Sequence, residues 1–177
     1  MHAPLTEDAA LSMLTPEPGL VVLMCGVAGS GKTSFSLKLA SKGFARLSID
    51  EEIWARFGRY GLDYAPEQYP EHVATARETL KDVLRRRLAA RQSVVVDSSF
   101  WSRAHRDDFK ELVEAAGGAW LLVYLKAPEP ILRDRLEARS RRFDANAAFP
   151  IGVDVLAGFL ESFQAPIDEG EMVVTVT

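Results

Sequence analysis

Leu20-Val21-Val22-Leu23-Met24-Cys25-Gly26-Val27-Ala28-Gly29-Ser30-Gly31-Lys32-Thr33 decides the fold. Its first six residues are an unbroken apolar run that ends in glycine, the pattern of a strand buried on both faces of a parallel sheet. The next eight fit G-x-x-x-x-G-K-[ST], a loop whose glycines let successive backbone N–H groups face a row of phosphate oxygens. Lys32 begins an amphipathic helix reaching Ser41, whose positive dipole end favours the same anion. Four fixed positions match by chance in roughly one chain in a hundred at average residue frequencies. The flanking strand and helix supply the context that the motif requires.

Working outward, four more short apolar runs repeat the first: Ala45 to Ile49, Ser93 to Val96, Ala119 to Leu125 and Met172 to Val176. Helical patterns separate them, over Lys32 to Ser41, Pro70 to Arg91, Arg103 to Ala116, Pro128 to Arg139 and Val153 to Phe163. Gly117-Gly118 and Pro128 punctuate two of these boundaries. Strand alternating with helix predicts an α/β fold of three layers around a five-stranded parallel sheet. Residues 1–19 are polar and proline-punctuated, with a weak helical pattern around Ala9 to Leu14, and read as an N-terminal extension. Residues 20–177 read as the domain proper, with a helical lid at about 133–152. At 177 residues one domain is expected.

In the phosphate loop, Gly26, Val27, Ala28, Gly29, Ser30, Gly31, Lys32, Thr33 and Ser34 are the expected nucleotide-binding residues. Lys32 is placed to reach the β- and γ-phosphates, and the Thr33 hydroxyl to meet Mg²⁺. Ligands of open parallel sheets lie beyond the carboxyl ends of the strands, so aspartates there carry weight. Asp97 follows Ser93 to Val96 and is the second expected Mg²⁺ ligand, the alternative being a helix N-cap. Asp50 follows Ala45 to Ile49 and is the best-placed carboxylate to deprotonate an acceptor hydroxyl, again against a capping role. Glu51 and Glu52 read as first-turn carboxylates, with Glu52 able to close a capping box.

Five arginines crowd between Arg133 and Arg142, where a closing segment could lay positive charge over a triphosphate. Arg135 and Arg139 share a helical face and are the expected catalytic pair. Arg85, Arg86, Arg87 and Arg91 point around their helix and read as a solvated face. Tyr60, Tyr64, Phe100 and Trp101 read as a candidate acceptor pocket for a flat group. His2, His72 and His105 lack metal-ligand spacing.

These residues resemble the P-loop kinase group, AAA-type ATP-binding small kinases that include polynucleotide 5′-hydroxyl kinases, over about Val21 to Phe163. The motifs carrying the likeness are GVAGSGKT, Asp50, Asp97 with Arg106 downstream, Arg135 and Arg139, and FPIGVDVL at Phe149 to Leu156. The resemblance implies ATP as cofactor, Asp50 as general base and Arg139 on the ATP phosphates, and it makes residues 20–177 a P-loop kinase domain whose five-stranded sheet is of the P-loop NTPase, nucleotide-kinase type. It departs on the acceptor side, where Ile53 replaces an arginine and Asp97-Ser98-Ser99 replaces Asp-Thr-Asn.

A net charge of −4 does not favour a dedicated nucleic-acid binder. The leading expectation is therefore transfer of the ATP γ-phosphoryl group to a hydroxyl of a small-molecule substrate. A polynucleotide 5′-hydroxyl kinase acting on single-stranded nucleic acid is the alternative, and an ATP-binding switch without an acceptor is a third. The single cysteine, Cys25, forms no internal disulfide and reads as a buried apolar residue. No apolar run approaches a membrane span, and a cytoplasmic protein is expected. No pattern fixes an oligomeric state.

Overall fold

The computed structural model describes residues 3–177. Five parallel strands form one sheet in the order β2-β3-β1-β4-β5: β1 (Leu20–Cys25), β2 (Ala45–Ser48), β3 (Val94–Asp97), β4 (Ala119–Lys126) and β5 (Glu171–Thr175). The main helices are α1 (Glu7–Met13), α2 (Lys32–Ser41), α3 (Ile49–Phe57), α4 (Tyr69–Ala89), α5 (Arg103–Ala115), α6 (Glu129–Arg139) and α7 (Val153–Ser162). The doubly covered parallel sheet expected from the apolar runs is present.

Strand alternation divides the core in two. Val22 and Met24 of β1 pack with Phe35 and Leu39 of α2 on one face. Val21, Leu23 and Cys25 pack with Leu84 and Leu88 of α4 and Phe109 and Val113 of α5 on the other. The five side chains from Val21 to Cys25 are fully buried, which is why this part of the strand tolerates no polar residue. Each such aliphatic side chain contributes roughly 1.5–3 kcal/mol on burial.

The chain leaves β1 toward β2 in one direction and leaves β3 toward β4 in the other. Crossovers of one hand then put α2 and α5 on opposite faces, opening a crevice where β1 and β3 lie side by side. The loop after β1 and Asp97 at the end of β3 both face that crevice.

Two boundaries differ from the sequence reading in ways that matter. Ile49 is the first residue of α3 rather than the last of β2, because the Ser48 side chain caps the helix by accepting from the Glu51 N–H at 3.3 Å. Asp97 belongs to β3, paired with Ser48 of β2.

Residues 3–19 are built into the domain. The Leu5 N–H donates to Val173 O and its carbonyl accepts from Thr175, both at 2.9 Å, covering the exposed edge of β5. Ala10 and Leu14 are buried against the α2 face of the sheet.

Candidate active site

The phosphate loop takes its shape from backbone conformations that side chains disfavour. Gly26 has φ +149°, and a Cβ there would stand 2.6 Å from Ser30 Oγ and 2.8 Å from the Leu125 carbonyl of β4. Gly31 has φ +102° and caps α2, so the first free N–H groups of the helix open directly onto the loop. Gly26→Ala is expected to push the loop against a strand that cannot yield. Titration with ADP should then show at least a tenfold weaker affinity, with the circular dichroism spectrum preserved.

A cavity of about 790 Å³ opens beside the loop. Ala28, Gly29, Gly31, Lys32, Thr33, Ser34, Asp50, Asp97, Arg135 and Arg139 all border it. Gly26, Val27 and Ser30 form the loop behind this wall, Val27 and Ser30 being buried. The structure thus brings together the residues expected from sequence.

Lys32 Nζ donates to Val27 O at 2.9 Å. Burial holds its pKa below the usual lysine value, opposed by the charges of Asp97 and Asp50. Arg135 Nη1 donates to Ser30 O at 3.2 Å, which lays the guanidinium along the loop. Arg139 has a buried Nε with no partner. Three buried side-chain polar atoms lack partners among the described residues, Ser30 Oγ, Arg139 Nε and Asn146 Oδ1, and all lie in the phosphate loop or the segment after β4. Two of them, Ser30 Oγ and Arg139 Nε, can donate, which fits a cleft shaped for an anion.

Asp50 sits in the first turn of α3 with its capping alternative removed, since Ser48 does that work. No hydrogen bond or ion pair with the described residues holds its carboxylate. Cleft water reaches it, yet enough protein surrounds it that burial raises its pKa above the ordinary aspartate value, with repulsion from Asp97 adding to this and Arg139 and Lys32 opposing it. A free carboxylate beside two cations is poised to accept a proton from a hydroxyl.

Asp97 is tied more tightly than the sequence suggested. Its Oδ2 accepts from Arg46 Nη2 at 2.6 Å and from Ser36 Oγ at 3.2 Å, while Arg46 also reaches Glu51 at 2.6 Å. Both bonds fall on Oδ2, and Asp97 borders the cavity. Among the described residues no cluster of three His, Cys, Asp or Glu side chains could hold a metal alone. Thr33 and Asp97 fit Mg²⁺ in the manner of a cation that keeps waters and shares phosphate oxygens. Bound there, the ion would neutralise charge on the phosphates.

Arg46 was not legible as a site residue; a charged residue in the short strand ARLS was its one signal. Arg106, by contrast, lies away from the cleft. It is fully buried, pairs with Glu169 and donates to the Phe100 carbonyl at 2.8 Å. Its effect on the cleft runs through the loop carrying Ser98, Ser99 and Trp101, where Phe100 itself has φ +45°.

The candidate aromatic pocket is only partly as expected. Trp101 borders the cavity and meets Phe159 edge-on at 5.3 Å. Tyr64 and Phe100 touch the cavity but are packed into the core, and Tyr60 stands behind the wall against Phe149 at 4.7 Å. The segment after α6 lies across α3: Phe143 meets Trp54 at 5.4 Å, and Asn146 Nδ2 donates to Glu51 at 3.3 Å. Glu52 pairs with Arg56 at 3.2 Å and closes no capping box. Arg85, Arg86, Arg87 and Arg91 are exposed, as read. His72 stacks on Phe57, while His2 lies outside the described residues.

Cys25 is fully buried beneath the loop, and burial pushes its thiol up to about 11, which leaves it inert as a nucleophile. No described helix is long and apolar enough to cross a membrane.

Comparison with known proteins agrees with this geometry. A family model described as an AAA domain matches residues 21–166. The L-seryl-tRNA(Sec) kinase of Methanococcus maripaludis is 25% identical over 151 residues, covering 83% of this chain and 53% of that protein. A protein of Aeropyrum pernix named Probable adenylyl-sulfate kinase is 32% identical over 126 residues, 67% of this chain and 66% of its own. The chain therefore spans between about half and two thirds of the length of these curated relatives. Among solved structures, a gluconokinase from Sinorhizobium meliloti superposes with a TM-score of 0.57 at 25% identity, over 90% of this chain and 83% of that one. A protein of Chloroflexus aurantiacus shares the fold with a TM-score of 0.71 at 22% identity, over 89% and 86%.

Proposed function

Because the chain belongs to the AAA-domain family matched over residues 21–166, a group of P-loop kinases, we propose that it transfers the γ-phosphoryl group of ATP to a hydroxyl of a small molecule. The observation carrying this reading is the convergence of Lys32, Asp50 and Arg139 on one cleft, whose wall continues past the phosphate loop along α4 and α5. The phosphate loop and Lys32 bind and orient the triphosphate, and Arg135 and Arg139 offset negative charge on the group in flight. Asp50 takes the proton of the attacking hydroxyl. Residues 140–152 act as a lid, held over α3 by Phe143 and Asn146, and exclude water that would otherwise compete as acceptor. Thr33 and Asp97 serve Mg²⁺.

Two relatives and one structural neighbour are named as kinases of different molecules, which supports the reaction class and leaves the acceptor to be found. The test is transfer from γ-labelled ATP with Mg²⁺ across nucleosides, sugars, hydroxy acids, antibiotics bearing hydroxyls, and 5′-hydroxyl oligonucleotides. Label on a small molecule is the expected result. Label on oligonucleotides alone would assign the chain to nucleic-acid end repair, and bound ATP with no transfer would leave a nucleotide switch.

A further inference from the structure

The far wall of the cavity, beyond Asp50, has a chemistry that the phosphate loop does not explain. Tyr69, Val73 and Arg77 recur every four residues on α4 and all border the cavity, so they form one stripe of roughly 12 Å along the helix. His105 and Phe109 of α5, also four apart, border the same cavity, and α5 packs beside α4 through the Lys81–Asp108 pair. Apolar and aromatic groups make up this wall except at its end, where Arg77 stands beside His105.

Arg77 is half-buried and, among the described residues, has neither an ion pair nor a side-chain hydrogen bond. Carboxylates are close at hand on both helices, yet Glu78 and Asp108 are taken by Lys81, at 2.9 and 2.5 Å. His105 offers no counter-charge, since an imidazole is neutral or cationic, and burial, with the Arg77 charge adding to it, holds its pKa below the usual value. A guanidinium left unpaired in a cavity wall loses hydration without compensation, an arrangement that a ligand carboxylate or phosphate relieves through paired N–H bonds. Arg77 lies on α4, whereas Lys32 starts α2 and Arg135 and Arg139 belong to α6.

Resting on the kinase reading above, we propose that Arg77 is an anion-recognition residue of the acceptor subsite, and that the acceptor is an anionic hydroxyl compound with an apolar or aromatic body. The hydroxyl lies toward Asp50, the body against Val73 and Phe109, and the carboxylate or phosphate on Arg77. Simple neutral sugars and unmodified nucleosides leave that cation unmatched.

The test separates this subsite from the nucleotide site by filling the latter. With Mg²⁺ and ADP saturating, phenylacetate and phenyl phosphate are titrated by calorimetry, with phenylacetamide and benzyl alcohol as neutral counterparts. At least one anion is expected to bind and the neutral pair at least tenfold more weakly, with the preferred anion telling carboxylate from phosphate. Arg77→Gln should weaken that anion at least tenfold, Arg77→Lys should restore part of it, and both variants should bind ADP as the parent does. Equal binding of anion and neutral partner, an anion competed off by ADP, no anion binding at all, or an unaffected Arg77→Gln variant would each overturn the proposal. The kinase reading fails separately, by absence of transfer from labelled ATP to any acceptor in the unmodified protein.

Discussion

Asp50→Asn should lower the rate of phosphoryl transfer by about 10²–10⁴-fold while ATP affinity stays within twofold of the parent. The asparagine keeps the shape of the side chain and removes only its ability to take a proton. Its structural cost is small, since Ser48 caps α3 and no protein partner depends on the carboxylate. Loss of one first-turn negative charge removes at most about 1 kcal/mol of helix-dipole stabilisation. A pH profile adds a second readout. Burial and the nearby Asp97 raise the Asp50 pKa, and only the ionised form acts as a base, so activity should rise with pH through a limb lying above that of an ordinary aspartate. The variant should lose this limb. Asp50→Asn with unchanged transfer and an unchanged profile would remove Asp50 as the base.

The residues that could be read from sequence share one property: their roles follow from neighbours in the chain. The strand Leu20 to Cys25 was bounded correctly because its neighbours are apolar on both faces, and the phosphate loop because its glycines sit between that strand and a helix. Asp50 does lie on the cleft, and Ser48, read as part of the sheet and ending β2 in the structure, is also the cap that frees it. Arg46, Arg77 and His105 behave differently. Their roles depend on which helix lies across the sheet and which carboxylate has already found another partner, and both are set by contacts between residues far apart in the chain. The Tyr69, Val73, Arg77 spacing was visible, but on a 21-residue helix it reads as an apolar stripe with a charge at its margin. Residues 3–19 were underread for the same reason. Leu5 becomes a strand partner only once β5, at the other end of the chain, is in place.

Arg106 shows how far a residue can matter to the cleft without touching it, and Glu169→Gln measures that effect. The Arg106–Glu169 pair is bidentate, at 2.8 and 2.6 Å, with side-chain exposures of 1% and 3%, and Lys110 adds a third charge at 3.4 Å. Forming such a pair gains little over an apolar contact, because two ions must be dehydrated, but deleting one partner strands the other in the core. The glutamine variant should therefore lose roughly 3–5 kcal/mol of unfolding free energy in urea, a large share of the 5–15 kcal/mol typical of a domain. For a chain of this size that corresponds to a melting temperature lower by about 6–20 °C. Burial alone would raise the Glu169 pKa, yet the hydrogen bonds and charge of Arg106 and Lys110 outweigh it and hold the carboxyl below its usual 4.5. A depressed folded pKa means that the pair's stabilisation is complete above the unfolded value and is lost as pH falls through the folded one, so parent and variant should converge in acid. A paired Arg106→Met, Glu169→Leu replacement should recover most of the stability. It should not recover transfer, because the N–H that Arg106 donates to the Phe100 carbonyl, and with it the set of the Ser98 to Trp101 loop, is still missing. Recovery of both would reduce Arg106 to a packing residue, and an undiminished stability in Glu169→Gln would show that water reaches the pair.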